Sequence, residues 1–253
     1  MRILVTNDDG ILAPGLEALV RGLSSIADIT VVAPEMQKSA VGHGITLHKP
    51  LRLDSVDFPG DVQAYSSNGT PADCVILGAL SDLPKPDFVA AGINGGANLG
   101  EEVLYSGTVS GAMEAVLHDL PSVALSVCSY TDVIYDAAEK LAPVIVQALV
   151  EHPLPAGSFL NVNAPNLPAD EIEGISLTRL GRRRYSEILS KREDPSGRPY
   201  YWISGAPEET DSSEGTDIDA IQHNRISVTP IHFDLTSENG WGGFDSMTDN
   251  LEL

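Results

Sequence analysis

The sequence predicts an α/β protein built on a mostly parallel sheet with helices on both faces. Three observations carry that reading. Short apolar runs alternate with helical patterns through the first 165 residues. The chain opens β-α-β, and such units form parallel strands joined by right-handed crossovers. Polar, glycine-rich segments follow the apolar runs, and in open parallel sheets ligands bind at the carboxyl ends of the strands.

The elements follow in order. Arg2–Thr6 (RILVT) is a short strand, followed by Asn7-Asp8-Asp9-Gly10. Apolar residues then recur at Leu16, Leu19, Val20, Leu23 and Ile26, a helical spacing over Gly15–Ile26. Ile29–Ala33 (ITVVA) is a strand stopped by Pro34, and a polar loop runs from Ala33 to Gly44. Thr70-Pro71-Ala72-Asp73 starts a helix that reaches Leu80, with Thr as N-cap, Pro first and an acid third. Asp87–Ala91 (DFVAA) is a strand followed by the loop GINGGANLG, Gly92–Gly100. Gly107–His118 is a helix with Ala112, Met113, Val116 and Leu117 on one side, and Ser122–Val127 is a strand. Val133–Val150 is helical in pattern, with Pro143 predicting a kink or a break. Phe159–Val162 is a further strand, ended near Pro165.

Beyond about residue 170 the character changes. RRRY (Arg182–Tyr185), YYW (Tyr200–Trp202), an acidic stretch from Gly205 to Asp219, an alternating run at Ile226–Phe233 and a polar tail after Ser237 follow one another. This region reads as hairpins and long loops. The arginines read as a solvated face, and YYW as packing or an interface.

Composition narrows the function classes. The 253 residues fit one α/β domain with elaborations, and 42% are hydrophobic. No apolar run reaches the roughly 18 residues of a membrane span, so no membrane partner is expected. The N-terminus lacks the sections of a signal peptide. Cys74 and Cys128 lie far apart in apolar runs and read as buried free thiols, which makes a cytoplasmic location the simplest. The net charge of −21 argues against a nucleic-acid polymer as partner. A small anionic ligand is still compatible: one unit charge 20 Å away costs it about 0.2 kcal/mol in water.

Asp8 and Asp9 pose the sharpest question. Asp-Gly marks hairpin turns, but a hairpin needs a strand next and a helical pattern follows instead. Two converging carboxylates repel unless a cation sits between them. The GINGGANLG loop lets backbone approach a ligand closely, and Asn94 and Asn98 bring amide oxygens and donors. Ser106, Gly107 and Thr108 open a helix, where N–H groups and hydroxyls make an anion site or a plain cap. Neither a P-loop nor G-x-G-x-x-G is present, which argues against a dinucleotide site, and no G-x-S-x-G surrounds Ser39. His43 and His48 do not match a metalloprotease spacing, and His43 reads as a solvated loop residue. The residues alone support metal-dependent phosphate chemistry or a non-hydrolytic nucleotide-binding module.

VTNDDGILAPG (Val5–Gly15), VVAPEMQKSAVGHGIT (Val31–Thr46), NGTPADCV (Asn68–Val75), PDFVAAGINGGANLGEEVLYSGTVSGAMEA (Pro86–Ala115) and LNVNAP (Leu160–Pro165) together resemble the SurE family. The resemblance is dense over residues 1–165 and weaker through LTRLGRRRY and GTDIDAIQHNRISVTPIHFDLT. It implies a Rossmann-like core at 1–170 and, at 171–253, a hairpin and C-terminal elements exchanged between subunits, all within one domain spanning 1–253. It implies a homodimer or homotetramer that hydrolyses nucleoside 5′- and 3′-monophosphates, with short polyphosphate as a further substrate, using one divalent metal ion per subunit. Asp8, Asp9, Ser39 and Asn94 fall on its metal-ligand positions, and Asn98, Ser106, Gly107 and Thr108 where the phosphate is held. Such an all-oxygen set suits Mg²⁺ or Mn²⁺ and disfavours zinc. Two catalytic roles stay open for the aspartates: accepting a proton from water, or attack on phosphorus by Asp8. Ala97 departs from the family, which often has Pro there; a looser loop is expected, with the ligands kept.

Overall fold

The opening unit consists of β1 (Arg2–Thr6), α1 (Pro14–Leu23) and β2 (Asp28–Pro34) in a computed structural model that describes residues 1–185, 189–203, 205 and 207–236. The chain continues with β3 (Leu53–Ser55), β4 (Gln63–Ser67), α2 (Pro71–Leu80), β5 (Phe88–Gly95), a 3₁₀ turn at Gly100–Leu104 and α3 (Gly107–Leu117). Then come β6 (Ser122–Val127), α4 (Asp136–Glu151), β7 (Ser158–Ala164), a 3₁₀ turn at Ala169–Glu171 and β8 (Ile175–Leu177). The last part holds β9 (Arg182–Tyr185), β10 (Leu189–Glu193), β11 (Pro199–Ile203), β12 (Pro207–Asp211), α5 (Asp217–Gln222) and β13 (Ile226–His232).

One nine-stranded sheet organises the molecule, in the order β3-β4-β2-β1-β5-β6-β7-β13-β8. The strands from β4 through β7 are parallel, as the alternating pattern predicts. β3 is antiparallel on one edge, β13 runs antiparallel to β7, and β8 lies parallel to β13. β10–β11 and β9–β12 form separate antiparallel pairs, the hairpin character expected of this region.

The alternation along each strand divides the core into two layers. Ile3, Val5, Val31, Phe88, Leu125 and Val162 share a cluster with Leu16, Leu19 and Leu23 of α1 and with Ala142 and Val146 of α4. Leu4, Val32 and Val89 pack with Cys74 and Val75 of α2, while Ala91, Ala124 and Phe159 meet Val109 and Ala112 of α3. Leu16, Leu19 and Leu23 are fully buried, each contributing roughly 2 kcal/mol of transfer free energy. Cys74 and Cys128 are free, Cys74 buried and Cys128 partly so.

Four expectations need correction. α4 begins at Asp136 rather than Val133, and Pro143 sits inside it without ending it. Pro143 cannot bond the Glu139 carbonyl four residues back. That carbonyl faces Gly22 of α1, where a side chain would come within 2.5 Å of it. β5 extends to Gly95 through half of the expected glycine loop, because Asn94 and Gly95 pair with Ser126 and Val127 after a register shift. The edge pair β3–β4 carries no strong alternation and was not expected. The acidic stretch is not all loop, for it holds β12 and the start of α5. The polar tail after Ser237 lies outside the described residues.

Candidate active site

Asp8 and Asp9 follow β1 at the carboxyl edge of the parallel strands. Gly10, at φ +101°, turns the chain, and Asn7 fastens the turn: its amide nitrogen donates to the Gly10 carbonyl at 2.9 Å. The Gly10 N–H donates back to Asn7 Oδ1 at 3.2 Å. Asn7 and Asp8 are buried, and Asp9 is partly exposed. The adjacent aspartates therefore belong to a strand-to-helix turn, not a hairpin.

α3 supplies the opposite wall. Ser106 caps it by accepting the Val109 N–H at 3.1 Å. The Thr108 hydroxyl donates to Asp8 Oδ1. A side chain at Gly107 would approach Asp8 Cβ to 2.7 Å and Oδ2 to 3.0 Å, so glycine is what lets the helix end reach this carboxylate. Burial pushes the Asp8 carboxyl up to about 6; the Thr108 hydrogen bond opposes the rise and the charge of Asp9 adds to it.

Asp9 is tied to two other segments. Its Oδ2 accepts the Gly95 N–H at 3.1 Å, and its Oδ1 accepts from Gln37 Nε2 at 3.2 Å. Asn94 Nδ2 donates to the Gly96 carbonyl at 2.9 Å, which leaves the amide oxygen as the atom available to a ligand. Ser39 is exposed in the loop after β2. That loop is joined to the turn just before Ser39, where the Lys38 N–H donates to the Asp8 carbonyl at 2.7 Å.

Asn98 sits in a buried polar cluster. Its amide nitrogen donates to Ser126 Oγ at 2.7 Å, and its N–H to Asn163 Oδ1 at 2.9 Å. Its carbonyl accepts from Asn161 at 2.9 Å and Asn163 at 3.1 Å. Asn161 Oδ1 is buried with no partner among the described residues. The sequence reading did not pick out Ser126, Asn161 or Asn163; the two asparagines alternating within the apolar run LNVNA were the available signal. It also missed Gln37, and it placed His43 in solvent. His43 is exposed as expected, but its ring has a partner: Nε2 lies 2.6 Å from Oε2 of Glu114 in α3. Arg183, by contrast, leaves the solvated face expected of it. Its guanidinium pairs with Glu102 at 3.1 Å, and its N–H donates to Glu101 at 2.6 Å.

The structure thus joins Asp8, Asp9, Gly107 and Thr108 directly, and links Asn94 to them through Gly95. Among the described residues, no three His, Cys, Asp and Glu side chains are arranged to hold a metal ion. A cation here would draw on two carboxylates, completed by hydroxyl and amide oxygens. The residues fit such an ion, because a buried carboxylate beside a second one is costly without a positive partner and all the donors are hard oxygens.

The fold and site define an α/β protein with paired carboxylates facing a helix N-terminus at the carboxyl edge of a parallel sheet. The model of the survival protein SurE family matches residues 3–187. A 5′-nucleotidase SurE of Moorella thermoacetica is 51% identical over 240 residues, covering 94% of this chain and 92% of its own. One of Synechococcus elongatus is 44% identical over 258 residues, covering 98% of this chain and all of its own. The crystal structure of the SurE protein from Aquifex aeolicus superposes with a TM-score of 0.86 at 41% identity, covering 98% of this chain and all of that one. The chain belongs to the SurE family.

Proposed function

We propose that this protein is a metal-dependent nucleotidase that hydrolyses nucleoside 5′-monophosphates to nucleoside and phosphate, with 3′-monophosphates and short polyphosphate as further substrates. The carrying observation is the juxtaposition of Asp8, held by Thr108, with Asp9, held by Gly95, at the N-terminus of α3. The names of its relatives point the same way.

Asp8, Asp9, Ser39 and Asn94 would hold one Mg²⁺ or Mn²⁺ per subunit. Such an ion supplies Lewis acidity, screening the phosphate and making a water more acidic. The chain's own groups do the positioning. Thr108 and the close approach of Gly107 fix the Asp8 carboxylate. The positive end of α3, with Ser106, Gly107 and Thr108, attracts the phosphate oxygens. Asn98, clamped by Ser126, Asn161 and Asn163, holds the loop that borders the phosphate. Asp8 or Asp9 takes up the proton lost by the attacking water and returns a proton to the departing nucleoside oxygen, or Asp8 attacks phosphorus, the nucleoside oxygen leaves with a proton from solvent, and water then hydrolyses the aspartyl phosphate to phosphate.

Residues 1–253 form one domain in this reading. Its region 171–253, with the exposed Tyr201 and Trp202 of β11, is exchanged between subunits of a homodimer or homotetramer. The protein acts in the cytoplasm. Among the described residues no helix is long and apolar enough to cross a membrane.

Phosphate release from a panel of nucleoside monophosphates with Mg²⁺, Mn²⁺ or EDTA tests the reading. Metal-dependent release that Asp9→Asn abolishes, with the circular dichroism spectrum kept, is the expected result. Nucleotide binding without release under either metal would replace the enzyme by a non-hydrolytic binding module.

A further inference from the structure

Ser39 lies on a loop with no regular structure between β2 and β3, so something else must fix its position. The Lys38 N–H bond to the Asp8 carbonyl anchors the loop before Ser39. After it the chain turns through left-handed backbone at Ala40 (φ 56°) and Gly42 (φ 58°). Two tethers then follow together: the Gly42 N–H donates to the Tyr105 carbonyl at 2.9 Å, and His43 meets Glu114. Further along, the Thr70 hydroxyl donates to the Gly44 carbonyl and the Thr46 N–H to Asp73.

Glu114 is buried inside α3, on the helix whose first turn contacts Asp8. A buried carboxylate requires partners. It has two histidines, one on each oxygen: His43 from the loop at 2.6 Å and His118 from its own helix at 3.1 Å. The two differ in what they connect. His118 is four residues along the same helix and ties nothing else to it. His43 joins the Ser39 loop to the helix that forms the opposite wall.

We propose that His43 and Glu114 are positioning residues that set the cation affinity of the site by holding Ser39 at a fixed distance from Asp8, and that His118 takes no part in this. The inference rests on the cation site of the proposed function. His43 does not touch the substrate or the ion; it acts through the loop.

The test compares Mn²⁺ binding, measured from the electron paramagnetic resonance of free Mn²⁺, with activity as a function of Mn²⁺. His43→Ala is expected to weaken Mn²⁺ binding about ten-fold, the low end of what losing a group that supports a metal ligand costs. Activity is regained at saturating Mn²⁺. His43→Gln, which keeps an N–H donor, restores most of the affinity, and His118→Ala leaves it unchanged. Wild-type Mn²⁺ affinity in His43→Ala would overturn the proposal. So would equal weakening by His118→Ala, since Glu114 would then matter only as a buried acid. Failure of the wild-type protein to bind Mn²⁺ at all would remove the cation site itself and the clasp with it.

Discussion

Asp8 and Asp9 are neighbours in sequence and differ in environment. Asp8 is 4% exposed and backed by Gly107, whereas Asp9 reaches toward Gly95 and Gln37. Burial places the Asp8 carboxyl near 6, above its ordinary value of 3.8. A carboxyl raised on folding costs stability when ionised. The cost is full above the folded value, shrinks as pH falls through about 6, and is gone below about 4. A shift of this size corresponds to about 3 kcal/mol in the metal-free protein. Asp8→Asn keeps the shape and still accepts from Thr108, so in EDTA at about pH 8 it should melt above the wild type. The gap should close toward pH 4, and Mg²⁺ should raise the wild type alone. Thermal melts across pH check this, and a variant less stable at pH 8 would mean that burial is not what raises the carboxyl. The candidate carboxylates were legible because Asp-Asp-Gly stands between a strand and a helical pattern. Their partners were not: Thr108 is 100 residues from Asp8, and Glu114 is 71 from His43. Local patterns carry no information about such pairs.

At the scale of elements, α2 shows how one helix start also holds a loop. Thr70 and Asp73 form a capping box, with Thr70 Oγ1 accepting the Asp73 N–H at 3.1 Å and Asp73 Oδ2 accepting the Thr70 N–H at 2.8 Å. Asp73 Oδ1 also accepts the Thr46 N–H at 2.9 Å, which pins the far end of the Ser39 loop. Burial pushes the Asp73 carboxyl up, and the hydrogen bonds from Thr46 and Thr70 outweigh it, so it stays below its ordinary value. Its contribution is therefore present above the unfolded value near 4 and is lost as pH falls through the lower folded one. Asp73→Ala should cost about 1–2 kcal/mol and should speed tryptic cleavage at Lys38. Denaturant melts and timed digestion read the two effects separately. Stability lost without faster cleavage would confine Asp73 to the helix. The helix start was legible because TPAD carries its own chemistry, whereas the reciprocal bond from Asp73 and its tie to Thr46 were not. The extension of β5 into the glycines was not, since four glycines in nine residues signal a loop and only pairing with β6 makes Asn94 and Gly95 a strand.

At the scale of the whole molecule, the alternating pattern up to residue 165 gave the parallel sheet because each strand and its helix are local. The edge strands β3 and β8 owe their places to pairing alone and left little trace in the sequence. Charge is a property of the whole surface, with 36 acidic residues against 15 basic ones. Its ion pairs are largely exposed, such as Arg21 with Glu139 at 2.8 Å and Lys140 with Asp136 at 2.7 Å. Exposed pairs contribute at most about 1 kcal/mol each, and salt weakens them. Repulsion among the excess acids acts over the whole surface, and its range falls from about 10 Å at 0.1 M salt to about 3 Å at 1 M. The acids outnumber the bases by more than two to one, so the repulsive part is the larger, and screening it favours the compact state. The melting temperature should therefore rise steadily as NaCl increases, in EDTA as well as with Mg²⁺. KCl should match NaCl, because screening depends on ionic strength and not on a bound ion. A melting temperature that falls with salt would show that the exposed pairs outweigh the repulsion. A rise with one cation and not the other would point to a specific site in place of screening.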